Sequence, residues 1–444
     1  MKQTIEHNWL QSDFEKFERT LNGQAGSLVH AFRRQAFAQF AAAGFPTTAN
    51  EEWRFTNVEP IARGKFLRAS ATGDVADQDL RPFIIPDPAA IRLVFVDGFF
   101  AGHLSKVPVL PAGVRVESLA AALAADVPGV IDHLGSLVRP HDNGFTALNT
   151  AFLWDGAFIS VPAGSRLEVP VHLLFLATGA SEGRAIYPRN LIIAGAGADL
   201  SVVETYAGSG RRVYLTNAVT EMFLGTHATV EHDKLQRESP GAFHVGTSAI
   251  RQDAETLFAS TTMNLGGALV RNTVHATLAG EGGDCTLNGL SLGTGGQLVD
   301  NHTSIDHAAP GCTSHELYKS VLDGRSRGVF NGKIFVRKDA QKTDAKQTNK
   351  TLLLSDDATI DTKPQLEIFA DDVKCTHGAT VGQLDEDQVF YLRARGIGEI
   401  EARDMLTFAF AGDVIDRVHV ESLRSQLHGL VHQLLHEGRI PNDH

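Results

Sequence analysis

ATVEHDKL (228–235), FHVGTSAI (243–250), TLFASTTM (256–263), ALVRNTVHATL (268–278), CTLNGLSL (285–292) and LVDNHTSID (298–306) follow one another with only short turns between them. Within these runs apolar and polar residues tend to alternate, the period of a β-strand. The pattern sets in at about Ala157, where helical spacing fades, and an earlier run carries Val213, Leu215, Ala218 and Val219. The turns are rich in glycine, at Gly195–Gly197, Gly208–Gly210, Gly266-Gly267, Gly280–Gly283 and Gly293–Gly296. Strands every ~10–15 residues with no helix between them make a sandwich, a propeller or a β-helix. The train carries neither a blade motif nor a Cys–Trp–Cys signature, which favours a β-helix. Such a solenoid stacks its apolar residues down a narrow core and is expected to carry its Thr, Asn and His on an outward face. Periodicity alone leaves the sandwich and the propeller as competitors.

Outward from this train the chain reads as helical. LVHAFRRQAFAQFAAA (28–43) places Leu28, Phe32, Ala36 and Phe40 on one helical face, and Gly44 with Pro46 ends it. Residues 66–90 read as acidic, Pro-rich linker. IRLVFV (91–96) is a short β run closed by the turn signal Asp97-Gly98. Residues 116–153 read as short helices broken by Pro128 and by Pro140 with Gly144. Beyond the train, Asp385 can cap a helix that ends at Gly396, and helical patterns continue over 399–411 and 419–436. The final RIPNDH is expected to be loose. The expected organisation is a mostly helical region with a short β segment over 1–155, a β-helix core over 156–383 and a helical region over 384–444.

Bulk properties narrow the class. The chain has 444 residues, 43% hydrophobic and 21% charged, with 42 Gly and with 25 Phe against 5 Tyr. That is an ordinary composition for a globular protein, long enough for a large core. A formal charge of −12 argues against nucleic acid and anionic membrane as partners. Three cysteines, Cys285, Cys312 and Cys375, are too few for a disulfide framework and fit a reducing, cytoplasmic location. The opening MKQTIEHNWLQSDFEKFERT lacks the apolar core of a signal peptide, and no apolar run reaches the ~18–20 residues of a membrane span.

The densest chemistry lies at DTKPQLEI (361–368) and DDVKCTHGATVG (371–382). On an extended strand Cys375 and His377 point to one face and Lys374 to the other. A thiolate and an imidazole so placed can both reach one soft metal ion, and both residue types serve iron–sulfur clusters. Two ligands do not close a tetrahedral site, so further ligands must come from elsewhere, a second chain included. The plainer reading of a C-x-H pair is a core cysteine beside a hydrogen-bonded histidine. Cys285 reads as core, and Cys312 with His315 is a weaker pair of the same kind. Asp371 and Asp372 face opposite ways on a strand and cannot act as a close acid–base pair. His232 with Asp233, and His302 with Asp306 and His307, read as hydrogen-bonded or solvated groups. The chain has no GxxxxGK[ST] phosphate loop and no GxSxG elbow. Gly195-Ala196-Gly197 lacks the third glycine of a dinucleotide fingerprint.

The string DTKPQLEIFADDVKCTHGATVGQLDEDQVFYLRARGI (361–397) resembles the SufD-type members of the SufB/SufD family of the Suf iron–sulfur cluster assembly system. Ile91–Gly98 (IRLVFVDG), Arg327–Gly332 (RGVFNG), Lys342–Asn349 (KTDAKQTN), Phe45-Pro46-Thr47 and Glu52-Trp53-Arg54-Phe55-Thr56 resemble it too, in the right order. The resemblance implies a right-handed parallel β-helix between helical ends and a scaffold subunit without ATPase activity. It implies pairing with a SufB-like subunit through the β-helices, or a homodimer in isolation. It also implies docking of a SufC-like ATPase on the C-terminal helices, segments 385–396 and 399–417. On that likeness His377 matches the proposed cluster ligand and Cys375 a neighbouring cysteine of less certain role. A transient cluster would be shared with the SufB-like chain, none being held tightly by this chain alone. The competing readings are an architectural partner that never touches iron and, far behind, a polysaccharide lyase or hydrolase.

Overall fold

The structure is a computed structural model that describes residues 8–21, 27–71, 75–208 and 210–437. Its centre is a parallel β-solenoid in which the chain lays successive strands alternately on two sheets, of 11 and 10 strands. In the first sheet Leu215, Phe243, Leu269, Leu298, Arg327 and Thr359 stand one above the next in parallel register. In the second Asp199, Thr229, Leu257, Asp284, Thr313, Asp344 and Lys374 do the same. Neighbours in sequence therefore lie in different sheets, and each strand pairs with the one after next. This connectivity bears out the β-helix and rules out both the sandwich of hairpins and the propeller.

One corner of the solenoid is a column of left-handed residues. Gly164, Gly197, His227, Glu255, Gly282, Gly311 and Lys342 all have φ between 55° and 72°. Each donates its backbone N–H to a carbonyl one turn on, at 2.6–3.1 Å, from Gly164 to Ala196 through to Lys342 to Asp372. Left-handed backbone costs a residue with a Cβ roughly 1–2 kcal/mol. His227, Glu255 and Lys342 tolerate it because the ladder on either side fixes the corner.

The interior differs from the expected one. Leu200, Val202, Phe258, Ile250, Cys285, Leu287 and Phe330 form an apolar core along the axis. Many polar strand residues nevertheless point inward, so the outward placement expected for Thr, Asn and His is corrected. Thr216, His232, His244, Asn264, Asn272 and Asn301 are all buried. They satisfy one another: Asn272 Nδ2 donates to Asn264 Oδ1 (2.8 Å), Asn264 Nδ2 to Asn301 Oδ1 (3.1 Å) and Lys234 Nζ to Asn272 Oδ1 (2.8 Å). Stacked side chains one rung apart find partners at regular spacing, which removes most of the cost of burying them.

Helices cover both outer faces. On the first sheet Leu215, Val245 and Leu269 pack under Phe40, Trp53, Phe145 and Phe152. On the second, Leu235, Met263, Leu290 and Leu317 pack under Val414, Ile415, Leu427 and Val431. Leu28–Ala43 is a helix capped by Ser27, and Gly44 (φ 68°) closes it with an N–H to Phe40 O. Ala36 and Phe40 are buried as expected, but Leu28 is 74% exposed, and His30 and Arg33 take the buried positions instead. The described part of residues 66–90 is not a linker: Leu67–Arg68 pairs with Arg184 and Ala185, Asp77–Leu80 is helical, and Leu80, Phe83 and Ile85 are buried. Ile91–Val96 joins the second sheet beside Val171–Leu176 and turns at Asp97-Gly98. The short helices Leu119–Ala124, Val130–His133 and Gly144–Ala151 follow a strand at Arg115–Ser118. At the other end Asp385 caps Glu386–Arg393, its Oδ1 accepting from Asp387 N–H at 2.9 Å, and helices Glu399–Ile415 and Glu421–Glu437 follow. RIPNDH lies outside the described residues.

Candidate functional site

The solenoid stops at the strands Thr359–Ile368 and Lys374–Gly382, each the last in its sheet with a neighbour on one side only. Among the described residues their outer backbone N–H and C=O groups have no strand to pair with; the side chains of Lys374–Gly382 are mostly exposed and those of Thr359–Ile368 mostly half-buried. Apolar Phe369 and Val381 are exposed at this end, with Ile368 and Leu354 beside them. An uncovered edge flanked by apolar side chains is a template on which another strand can pair.

Cys375 and His377 sit on this last strand. In-register pairing puts Cys375 beside Ala345 and His377 beside Gln347, so both point along the inward face and Lys374 points away. The alternation expected from sequence therefore holds. Cys375 is half-buried among Ile334, Val336, Ala340 and Ala345. Burial pushes its thiol pKa up, Asp344 adds to this, and only a backbone hydrogen bond from Ala345 opposes it. Burial thus favours the neutral thiol at Cys375, which packs there as a small hydrophobe. His377 is exposed at the mouth.

Other candidate residues go elsewhere. Cys285 is fully buried in the apolar core, its thiol pKa driven well up by burial. Cys312 donates its thiol to Gly280 O at 3.3 Å, whereas His315 is exposed on the outer face, so the two do not form a site. His232 points inward to Ser260 (3.0 Å) and Glu204 (3.2 Å). Asp233, its neighbour, points the other way, and burial raises its pKa to about 8. His302 lies on the outside between Asp300 (3.0 Å) and Glu52 (3.4 Å). Asp306 pairs with Arg337 at 2.6 Å, and His307 bonds Ser314 at 2.8 Å. Asp371 and Asp372 are exposed. Among the described residues no group of three or more His, Cys, Asp and Glu is arranged to hold a metal ion.

Sequence reasoning missed what lies beneath His377. Gln347 and, one rung further in, Glu316 are buried and hydrogen-bonded to each other. Burial pushes the Glu316 carboxyl up to about 7 against hydrogen bonds that lower it. The signal was present in KTDAKQTN, where Gln347 follows Ala345 at strand spacing.

Two family models match the chain: the SufBD core domain of the SUF system for FeS cluster assembly over residues 175–410, and the SufBD protein N-terminal region over 4–173. An iron-sulfur cluster assembly SufBD family protein of Synechocystis sp. is 34% identical over 421 residues, 93% of this chain and 92% of that one. The iron-sulfur cluster assembly protein SufD of Escherichia coli is 31% identical over 407 residues, 91% and 93% of the two chains. The chloroplastic protein ABCI7 of Arabidopsis thaliana is 30% identical, over 88% of this chain and 83% of its own. The chain belongs to the SufBD family of iron–sulfur cluster assembly proteins.

Proposed function

We propose that the chain is a SufD-like, non-catalytic subunit of a cytoplasmic Suf assembly complex that helps build nascent iron–sulfur clusters and pass them on. The observation that carries this is the last rung: an unpaired strand edge that presents Cys375 and His377 together at an open end. A SufB-like chain added along that edge would complete the ligand set. The cluster is then a substrate held between two chains and released when they part. His377 is the ligand on this side, and Cys375 a thiol that ionises only once iron lowers its pKa. The region 384–444 docks a SufC-like ATPase. What supports this is a set of exposed apolar side chains on its helices, with Phe390 71% and Ile400 76% exposed and Tyr391 and Met405 exposed as well. Among the described residues no helix is long and apolar enough to cross a membrane.

The second reading, a partner that supports the others without touching iron, is favoured by the neutral Cys375 thiol. His377→Ala in the assembled complex separates the two. Anaerobic reconstitution followed by visible absorption should show cluster yield falling at least severalfold while the complex stays intact. An unchanged yield would leave only the architectural role.

A further inference from the structure

The motif Lys342–Asn349 has no part in the reading above, yet it forms the strand directly under the proposed ligand. Its inward residues are Ala345, Gln347 and Asn349, beneath Cys375, His377 and Ala379. Gln347 is 2% exposed, and its Nε2 donates to Glu316 Oε2 on the next strand in. Across the interior the opposite wall is Gly332. A Cβ there would lie 2.3 Å from Gln347 Nε2, so the wall is hollowed to admit this amide. Glu316, an acceptor, draws the amide nitrogen toward itself, which leaves Gln347 Oε1 turned away from it. That oxygen is buried and has no hydrogen-bond donor among the described residues. A buried carbonyl oxygen without a donor is costly, and the group standing on the next rung is the imidazole of His377.

We propose that Gln347, held by Glu316, is the positioning residue for His377. When the exposed ring turns inward onto that rung, Gln347 Oε1 accepts its Nδ1–H, which fixes the tautomer and leaves Nε2 free for iron. Histidines that bind metals ordinarily donate their other N–H to a carbonyl or carboxylate, which orients the ring and raises its basicity. Gln347 supplies that acceptor from within the solenoid, and Glu316 prevents the amide from flipping. The inference rests on His377 being the ligand, but its test needs no iron. The full-length chain, labelled with 15N-histidine, is examined by NMR at about pH 8, where an ordinary imidazole is neutral. The His377 signal is identified by its loss in His377→Gln. The expected result is a ring predominantly in the Nδ1–H form, the reverse of the preference of free imidazole in water. Gln347→Met should return it to the Nε2–H form, and Gln347→Glu, which keeps an acceptor, should retain Nδ1–H. A wild-type ring in the Nε2–H form overturns the proposal even if Gln347→Met does not fold. So does an Nδ1–H ring that Gln347→Met leaves unchanged. A failure here leaves the reconstitution result with His377→Ala untouched, so the two ideas fall separately.

Discussion

Arg271 stacks on the indole of Trp53, its guanidinium carbon 3.8 Å from the ring centroid, while the same guanidinium pairs with Asp300 in a site closed to water. Thr56 donates its hydroxyl to Asp300 as well, and His302 bridges Asp300 and Glu52. The segment Glu52–Thr56 is thus strapped across the first sheet by charge, stacking and hydrogen bonds together. Glu51 extends the strap to Lys363 on Thr359–Ile368, the last strand of that sheet, at 2.8 Å.

Trp53→Ala should cost about 3–5 kcal/mol, because it opens a large cavity and uncovers Arg271. The urea midpoint would fall accordingly. A change below about 1 kcal/mol would mean that the strap contributes little to stability.

Arg189 and Glu221 form an ion pair with both side chains fully buried, and Glu221 also accepts from the N–H groups of Gly135, Leu137 and Val138. Glu221→Gln leaves a buried guanidinium without its counter-charge and should destabilise by about 3–5 kcal/mol in urea unfolding. Replacing both partners with apolar residues should recover part of that loss in Arg189, though not the three backbone donors.

Stability should depend on pH in two opposing ways. Burial lowers His172 from 6.5 to about 3 and His307 from 6.5 to about 4. The unfolded chain takes up these protons first, so the stability they contribute is full above about pH 6.5 and is lost as the pH falls through about 4 for His307 and about 3 for His172. Burial raises Asp233 from 3.8 to about 8, with Glu231 adding to it. Its contribution is full below about pH 4 and is lost as the pH rises through 8. Asp233→Asn should therefore flatten the decline in urea midpoint between pH 5 and 8, by up to roughly 1.4 kcal/mol per pH unit. An identical profile for the two proteins would show that Asp233 ionises normally.

Val381→Lys together with Phe369→Lys should leave folding within about 0.5 kcal/mol, since both side chains are exposed. The same pair should weaken association with a SufB-like chain at least tenfold in co-purification, and should abolish any homodimer seen by light scattering. Retained association would place the interface elsewhere.

Phe390→Ala with Ile400→Ala should likewise spare the fold while reducing capture of a SufC-like ATPase. Binding measured by calorimetry should weaken by about 2 kcal/mol or more if these side chains are the centre of the contact.

Much of the solenoid was legible because strand alternation and glycine turns recur along the chain. The capped helices at Leu28–Ala43 and Glu386–Arg393 were legible from Ser27, Gly44 and Asp385. The inward polar residues were not. Thr216, His244 and Asn272 alternate as surface residues do, and only the stacking of rungs supplies the partners that let them be buried. Residues 66–90 read as linker because Pro82, Pro86 and Pro88 mask the buried Phe83 and Ile85 between them. At the site, the shared face of Cys375 and His377 followed from spacing alone. Gln347 and Glu316 did not, because vertical neighbours in a solenoid are a full turn apart in sequence.

The two edges at the open end are unequal. Thr359–Ile368 carries Asp361, Lys363, Pro364 and Glu367, whereas Lys374–Gly382 carries only Lys374 as a fixed charge and no proline. Charge and proline discourage strand addition on the first edge, and little discourages it on the second. A newcomer would therefore be favoured on one side of the doorway and disfavoured on the other. When the newcomer offers a matching edge, the two ends consume each other, leaving no template for a third. On the proposed pairing, an exposed β-edge that would ordinarily invite fibres would act as a connector that counts to two.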